Sequence, residues 1–254
     1  MSKIGIMGGT FNPIHRAHVE MGKACLDQQN LDKVLFMPSK NPPHKEKKDI
    51  LSDKERADMV KLALSEYDEL EYQIKKIADK HGHIDFLINN AGITFKSRAE
   101  EFPEERLDAI ININLKTPFM ISRLCYPYLK ESPYIGRIIT ISSMASYMGF
   151  NGVLPYDMTK SGVMGLTRGL AEEWKNDNIL VNSVSPGWVL TKMNEEMFAK
   201  NPDRKEAAAN KMMLPRFAEP IEIGYMILFL LSQASNYITG HDFSVDGGAR
   251  SHGF

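Results

Sequence analysis

Cysteine is nearly absent from this chain: two in 254 residues, Cys25 and Cys125, far apart and outside any C-x-x-C spacing. That argues against a disulfide framework or a zinc site and points to a reducing compartment, with both side chains expected as buried thiols. Net charge is nearly absent too, Lys+Arg 31 against Asp+Glu 32. No global field then draws the protein to nucleic acid or an anionic membrane, and a small, roughly neutral partner is expected. Long apolar runs are missing: the longest, residues 225–231, falls far short of the ~20 residues of a membrane span. No basic-then-apolar leader is read at the start, so the chain is expected to be cytoplasmic. There is no internal repeat and no low-complexity tract, and 43% hydrophobic with 25% charged residues excludes disorder, collagen-like and coiled-coil architectures.

What is present is an alternation of short β-type apolar runs with helical stretches, which predicts a doubly wound parallel sheet with helices on both faces, a three-layer α/β fold. Strands are expected at residues 3–7, 33–37, 84–88, 137–141, 179–184 and 242–245. Helices are expected at about 13–29, 52–64, 103–130, 156–176 and 220–231, with Ser52 as an N-cap, Glu55 at the capping-box position and Pro118 inside the third. A Pro-, Asn- and Lys-rich loop spans 38–48, and helical stretches are expected within the polar segment running to Arg216. Residues 67–81 carry two patterns. Leu70, Ile74, Ile77 and Ala78 fit a helix, whereas Leu70, Tyr72 and Ile74 alternate as in a strand; the helix is favoured.

Tyr156 and Lys160 stand four apart on a predicted helix, so their side chains share a face. A neighbouring ammonium is expected to lower the tyrosine pKa and make the phenol a usable acid and base. Alone, the pair also fits an ordinary solvated helix face. Ser143, thirteen positions earlier at the end of the strand G-R-I-I-T-I-S-S, adds a hydroxyl at the carboxyl edge of the sheet, where open α/β sheets bind ligands.

From about residue 68 to the C-terminus the sequence resembles the short-chain dehydrogenase/reductase family. The matching motifs are N-N-A-G at 89–92, Asn114 in I-N-I-N-L, Ser142-Ser143, Y-D-M-T-K at 156–160, S-P-G at 185–187 followed by Thr191, and I-T-G-H-D-F-S-V-D-G-G ending at Gly248. The resemblance implies a catalytic set of Tyr156 as acid/base, Ser143 polarising a carbonyl, Lys160 binding the nicotinamide ribose and tuning Tyr156, and Asn114 supporting a water relay. It also implies a cofactor, NAD or NADP, lined by Asn90, Ala91, Gly92, Pro186, Gly187, Val189 and Thr191 together with Tyr156 and Lys160. A homo-oligomer, dimer or tetramer, is implied through helices 103–130 and 156–176. Residues 191–216 match the position of a substrate lid and equally suit a variable surface helix.

The first 67 residues differ. In place of the glycine-rich T-G-x-x-x-G-x-G turn of that family stands G-G-T-F-N-P-I-H-R-A-H at 8–18, with P-S-K-N-P-P-H-K at 38–45. These strings resemble the nicotinate-nucleotide adenylyltransferases, in which such glycines and paired histidines cradle the triphosphate of ATP. Physically, Gly8, Gly9 and Thr10 offer donors beside a helix dipole, and His15 and His18 share its first turn, which makes an anion site. The I-S-S at 141–143 lacks the arginine that completes the adenylyltransferase site.

The expected product is one composite Rossmann-like domain, 1–67 nucleotidyltransferase-like and 68–254 dehydrogenase-like, without a metal. The leading expectation is hydride transfer between a nicotinamide dinucleotide and a small carbonyl or secondary alcohol. Glu173-Trp174 resembles sugar-acid and polyol dehydrogenases more than acyl-carrier reductases. Two alternatives stay open: a nucleotide-binding or adenylyl-transferring protein using His15 and His18, and a non-functional fusion.

Overall fold

The computed structural model describes residues 4–9, 33–38, 67–190 and 202–252. Six strands form one parallel sheet: β1 (Ile4–Gly9), β2 (Lys33–Pro38), β3 (Phe86–Asn89), β4 (Gly136–Ile141), β5 (Ile179–Pro186) and β6 (Asp242–Val245), in the order β2-β1-β3-β4-β5-β6. The helices are α1 (Tyr67–His81), α2 (Glu104–Ile111), α3 (Thr117–Lys130), α4 (Leu154–Glu173), α5 (Pro202–Ala209) and α6 (Pro220–Leu231). The expected helices at 13–29 and 52–64, and Cys25, lie outside the described residues.

The strands of the centre are apolar on both faces, as a sheet covered on both sides requires. On one face Leu87, Ile138 and Val181 pack against Leu70 and Ile74 of α1, Cys125 and Leu129 of α3 and Leu170 of α4. On the other, Phe86, Ile88, Ile139 and Val184 meet Ile223, Ile227, Leu230 and Leu231 of α6. The doubly wound, three-layer expectation therefore holds. From β1 the chain goes out to β2 on one side and returns to β3 on the other, so the order reverses between β1 and β3, where Gly8 pairs with Asn89. A crevice at the carboxyl ends of strands is opened by such a reversal.

Three local outcomes refine the sequence reading. Residues 67–81 are helical: Leu70, Ile74 and Ala78 are buried one turn apart, whereas Tyr72, which in a strand would share the face of Leu70 and Ile74, is 59% exposed. β2 is consequently the edge strand among the described residues. The single helix expected over 103–130 is divided by a π-helical turn, Asn112–Lys116, which widens the backbone and carries Asn114 into the interior. Pro118 stands directly after that turn, second in α3, and Pro127 lies inside that helix. Cys125 is a free, buried thiol whose pKa is pushed up to about 12 by burial.

The start of β4 is set by a close approach. A Cβ on Gly136 would stand 2.8 Å from the Leu129 carbonyl oxygen at the end of α3, backbone against backbone. Gly136→Ala should therefore lower stability in urea unfolding by about 1–3 kcal/mol, the usual cost of overpacking. Gly149→Ala, where nothing stands within 4 Å of the added methyl, should change it by less than about 0.5 kcal/mol.

Candidate active site

The last carbonyl of β4 begins the site. Beyond it Ser142 and Ser143 lead into a 3-10 turn, Met144–Ser146. Buried Ser142 donates to the Lys160 carbonyl at 3.0 Å, so its oxygen is left to accept from Ser146 Oγ at 2.6 Å. Ser143 Oγ accepts the Ala145 N–H at 3.1 Å. Its hydroxyl also acts on the Tyr156 phenol, pulling that group's pKa down.

Helix α4 opens on Leu154-Pro155, the proline filling a position whose N–H has no helical partner. Tyr156 and Lys160 follow one turn apart on its inner side. Lys160 is 3% exposed, and its Nζ donates to the Ile141 carbonyl at 2.7 Å. The ammonium lies 5.6 Å from the centre of the Tyr156 ring. Burial draws the lysine pKa down to about 8.

The expectation that Lys160 lowers the Tyr156 pKa is corrected by this geometry. The tyrosine pKa is raised: desolvation of the phenol dominates, the Ser143 hydroxyl works against it, and the charge of Asp157 adds to it. Lys160 points its proton at a backbone carbonyl and presents its charge to the ring, which removes it from direct bonding to the phenol oxygen.

Asn114 enters from the π-helical turn. Its Oδ1 accepts the Ile93 N–H at 2.8 Å, and its Nδ2 donates to the Ile93 carbonyl at 2.9 Å and to Thr159 Oγ1 at 3.1 Å. Thr159 Oγ1 in turn donates to the Tyr156 carbonyl at 2.9 Å. The segment after β3 is thereby locked to α4. Asn89 serves the sheet instead. Buried, it donates to Ser122 Oγ and Thr140 Oγ1, tying β3 to α3 and β4.

Asn90, Ala91 and Gly92 are half-buried at the carboxyl end of β3. A Cβ on Gly92 would lie 3.3 Å from Lys160 Nζ and 3.5 Å from Asn114 Oδ1, so a glycine leaves open the space above both. Pro186 pairs in register with Val245 at the ends of β5 and β6. At Gly187 a Cβ would come within 2.6 Å of the Asp246 Cα, and Val189 forms a bridge with Ala218. The backbone of Gly8 and Gly9 closes β1, opposite Asn89 and Pro38. Thr10, His15, His18 and Thr191 lie outside the described residues.

Thus Asn114, Ser143, Tyr156, Lys160 and Gly92 converge. Four partners escaped the sequence reading. Thr159 is signalled only by its place three residues after Tyr156. The backbone carbonyls of Ile93 and Ile141 have no side-chain signature. Asp157 accepts the Phe150 N–H at 3.0 Å and holds the loop that precedes α4. Among the described residues no group of three or more His, Cys, Asp or Glu stands ready for a metal ion, and no helix is long and apolar enough to cross a membrane.

The model of the enoyl-(acyl carrier protein) reductase family matches residues 28–250. The chain is 37% identical over 193 residues to the 3-oxoacyl-(acyl-carrier-protein) reductase FabG of Thermotoga maritima, covering 76% of this chain and 77% of that protein. It is 36% identical over 175 residues to the 2-dehydro-3-deoxy-D-gluconate 5-dehydrogenase of Dickeya dadantii, 69% of each. The aldohexose dehydrogenase structure of Thermoplasma acidophilum superposes with a TM-score of 0.80 over 99% of this chain and 95% of that one, at 21% identity, a likeness of fold. The family match begins inside the segment that resembles adenylyltransferases, and these relatives are all oxidoreductases. The ATP reading of Gly8 to His18 gains no support from them. Family match and relatives agree with the motifs: the chain belongs to the short-chain dehydrogenase/reductase family.

Proposed function

We propose that the protein transfers a hydride between a nicotinamide dinucleotide, NAD or NADP, and a small carbonyl or secondary alcohol, with Tyr156 as acid and base. The carrying observation is that Ser143, Tyr156 and Lys160 come together at one edge of the sheet, the serine hydroxyl acting on the phenol and the lysine anchored on the Ile141 carbonyl. A nucleotide-adding reading would need groups that lie outside the described residues; the oxidoreductase reading uses groups that are within reach of one another.

The donor set suits the nicotinamide-ribose half of a dinucleotide. Lys160 Nζ spends one of its three N–H groups on Ile141 and keeps two for vicinal ribose hydroxyls, and Gly92 leaves the space for them. Asn90, Ala91, Pro186, Gly187, Val189 and Thr191 are assigned to the remainder of that half. When bound, the dinucleotide supplies or accepts the hydride. The chain's own work is orientation and proton handling.

Ser143 donates to the substrate oxygen and holds it at the phenol. Tyr156, kept protonated by its desolvated site, gives its proton to the oxygen as negative charge develops there. Lys160, anchored on the Ile141 carbonyl, serves to hold the ribose rather than to tune the phenol. Asn114 keeps the Ile93 segment against α4, and with it the floor of the site. For substrates, the two sequence relatives frame the tests: a 3-oxoacyl thioester and a 5-keto sugar acid. A cytoplasmic homo-oligomer, dimer or tetramer, is part of this reading, supported by the exposed apolar side chains Phe119 on α3 and Leu154 and Met158 on α4.

Two results are expected. Tyr156→Phe should lower dinucleotide-dependent turnover by about 10²–10⁴-fold with the fold intact by circular dichroism; an unaltered rate would overturn the assignment. The second concerns Lys160, whose native pKa of about 8 lies below its ordinary 10.5. The unfolded chain then holds this proton more tightly, so stability rises with pH between those two values. From about pH 7.5 to about pH 9.5 the gain should be about 2 kcal/mol in the wild type relative to Lys160→Met, read from urea unfolding of both.

A further inference from the structure

The loop joining Ser143 to Tyr156 is held from outside the site by residues that the reaction scheme does not use. The Tyr147 hydroxyl donates to Asp242 Oδ2 at 2.8 Å, and the other oxygen of Asp242 accepts from Ser183 Oγ at 2.5 Å. The Tyr147 ring lies under the Arg250 guanidinium, 3.8 Å from Cζ to the ring centre. Arg250 is itself fixed: Nη1 donates to Ser244 Oγ at 3.1 Å and its backbone N–H to Asp246 Oδ2 at 3.1 Å. Ser183 and Ser185 of β5 stand in register with Asp242 and Ser244 of β6, so four polar side chains occupy one face of the sheet.

Tyr147 is also the residue that closes the 3-10 turn after Ser143. Its N–H donates to the Met144 carbonyl at 3.0 Å, and the Ala145 N–H of the same turn donates to Ser143 Oγ. At the other end of the loop, Phe150 is held by Asp157, next to Tyr156, and the Gly152 carbonyl accepts the Ser97 N–H at 2.9 Å. Neither Tyr147, Asp242 nor Arg250 belongs to the apolar clusters on the two faces of the sheet. Their contacts order a loop and leave the core to others. The Tyr147 pKa is raised, first by burial and then by Asp242, so the phenol keeps the proton it donates.

We propose that Tyr147 is a positioning residue that holds the Ser143 hydroxyl at Tyr156 through the turn it closes, with Asp242 and Arg250 as its two anchors. The inference rests on the oxidoreductase reading above. Misplacement of a reacting group by about 1 Å costs up to 10²-fold in rate. The clamp therefore acts on kcat.

Tyr147→Leu, Tyr147→Phe, Asp242→Asn and Arg250→Met are compared with the wild type in reduction of acetoacetyl-CoA and of 5-keto-D-gluconate, with NADH and NADPH. Tyr147→Leu should lose about 10- to 100-fold in kcat, the dinucleotide KM staying within about two-fold. Asp242→Asn keeps an oxygen acceptor and should retain most of the rate, while Tyr147→Phe and Arg250→Met each lose part. A wild-type kcat per folded molecule in Tyr147→Leu would overturn the proposal. Where the wild type turns over neither probe with either dinucleotide, the oxidoreductase reading fails for these substrates, and hydrogen exchange judges the clamp. Peptides over 144–153 should then lose protection in Tyr147→Leu while those over 160–173 keep it; unchanged protection over 144–153 would overturn the clamp.

Discussion

A lysine ammonium buried against the last carbonyl of β4 sets the terms for everything around it. Taking that charge out of water is costly, and its pKa falls to about 8 as a consequence. The bond to the Ile141 carbonyl offsets part of it and fixes the head group in one place. A glycine at position 92 suits that place, because a methyl there would stand 3.3 Å from the ammonium, a tight contact, and 3.5 Å from Asn114 Oδ1. Helix α4 must begin where it does, since a shift by one residue would carry both Tyr156 and Lys160 away from the sheet edge. Ser142, bonded to the Lys160 carbonyl, pins that register from the strand side.

The second support is the π-helical turn before α3. An unbroken α-helix over the same residues would point Asn114 in a different direction, because each residue turns by about 100°. The wider turn delivers an amide that satisfies both the N–H and the carbonyl of Ile93, a non-strand segment that would otherwise carry unpaired polar groups beside a buried charge. Thr159 passes the same restraint to the Tyr156 carbonyl. The floor of the site and the helix that carries its acid/base are thus one hydrogen-bonded unit.

Much of this was legible in order and spacing. The strand and helix alternation carried the three layers, and the motifs singled out Ser143, Tyr156, Lys160, Asn114 and Gly92. What could not be read has physical reasons. Backbone carbonyls such as those of Ile93 and Ile141 have no letter in the sequence, although they carry the bonds that hold Asn114 and Lys160. The sign of the Tyr156 shift depends on whether a charge or desolvation dominates, and spacing along a helix reports only the charge. The segment at 67–81 held two periodicities, and burial of Ile74 against the sheet decided for the helix. The division of the helix over 103–130 falls just before Pro118, which has no N–H to give and crowds the Asn114 carbonyl four residues back, and the periodicity of the apolar residues does not report it.

On the face of β5 and β6 that carries Ser183, Ser185, Asp242 and Ser244, polar side chains follow Val181 toward the carboxyl ends, as Thr140 follows Ile138 on β4. An apolar helix packed there would leave these hydroxyls stranded, at a cost of about 1–3 kcal/mol for each unsatisfied group. A loop with its own polar groups can satisfy them, and Tyr147 and Arg250 do so for Asp242 and Ser244. Ser185 is the exception: its Oγ is fully buried and has no hydrogen-bond partner among the described residues. Polar chemistry on this face therefore selects the loop between Ser143 and Tyr156 as its cover, and the cover in turn bears the groups on which the proposed reaction depends.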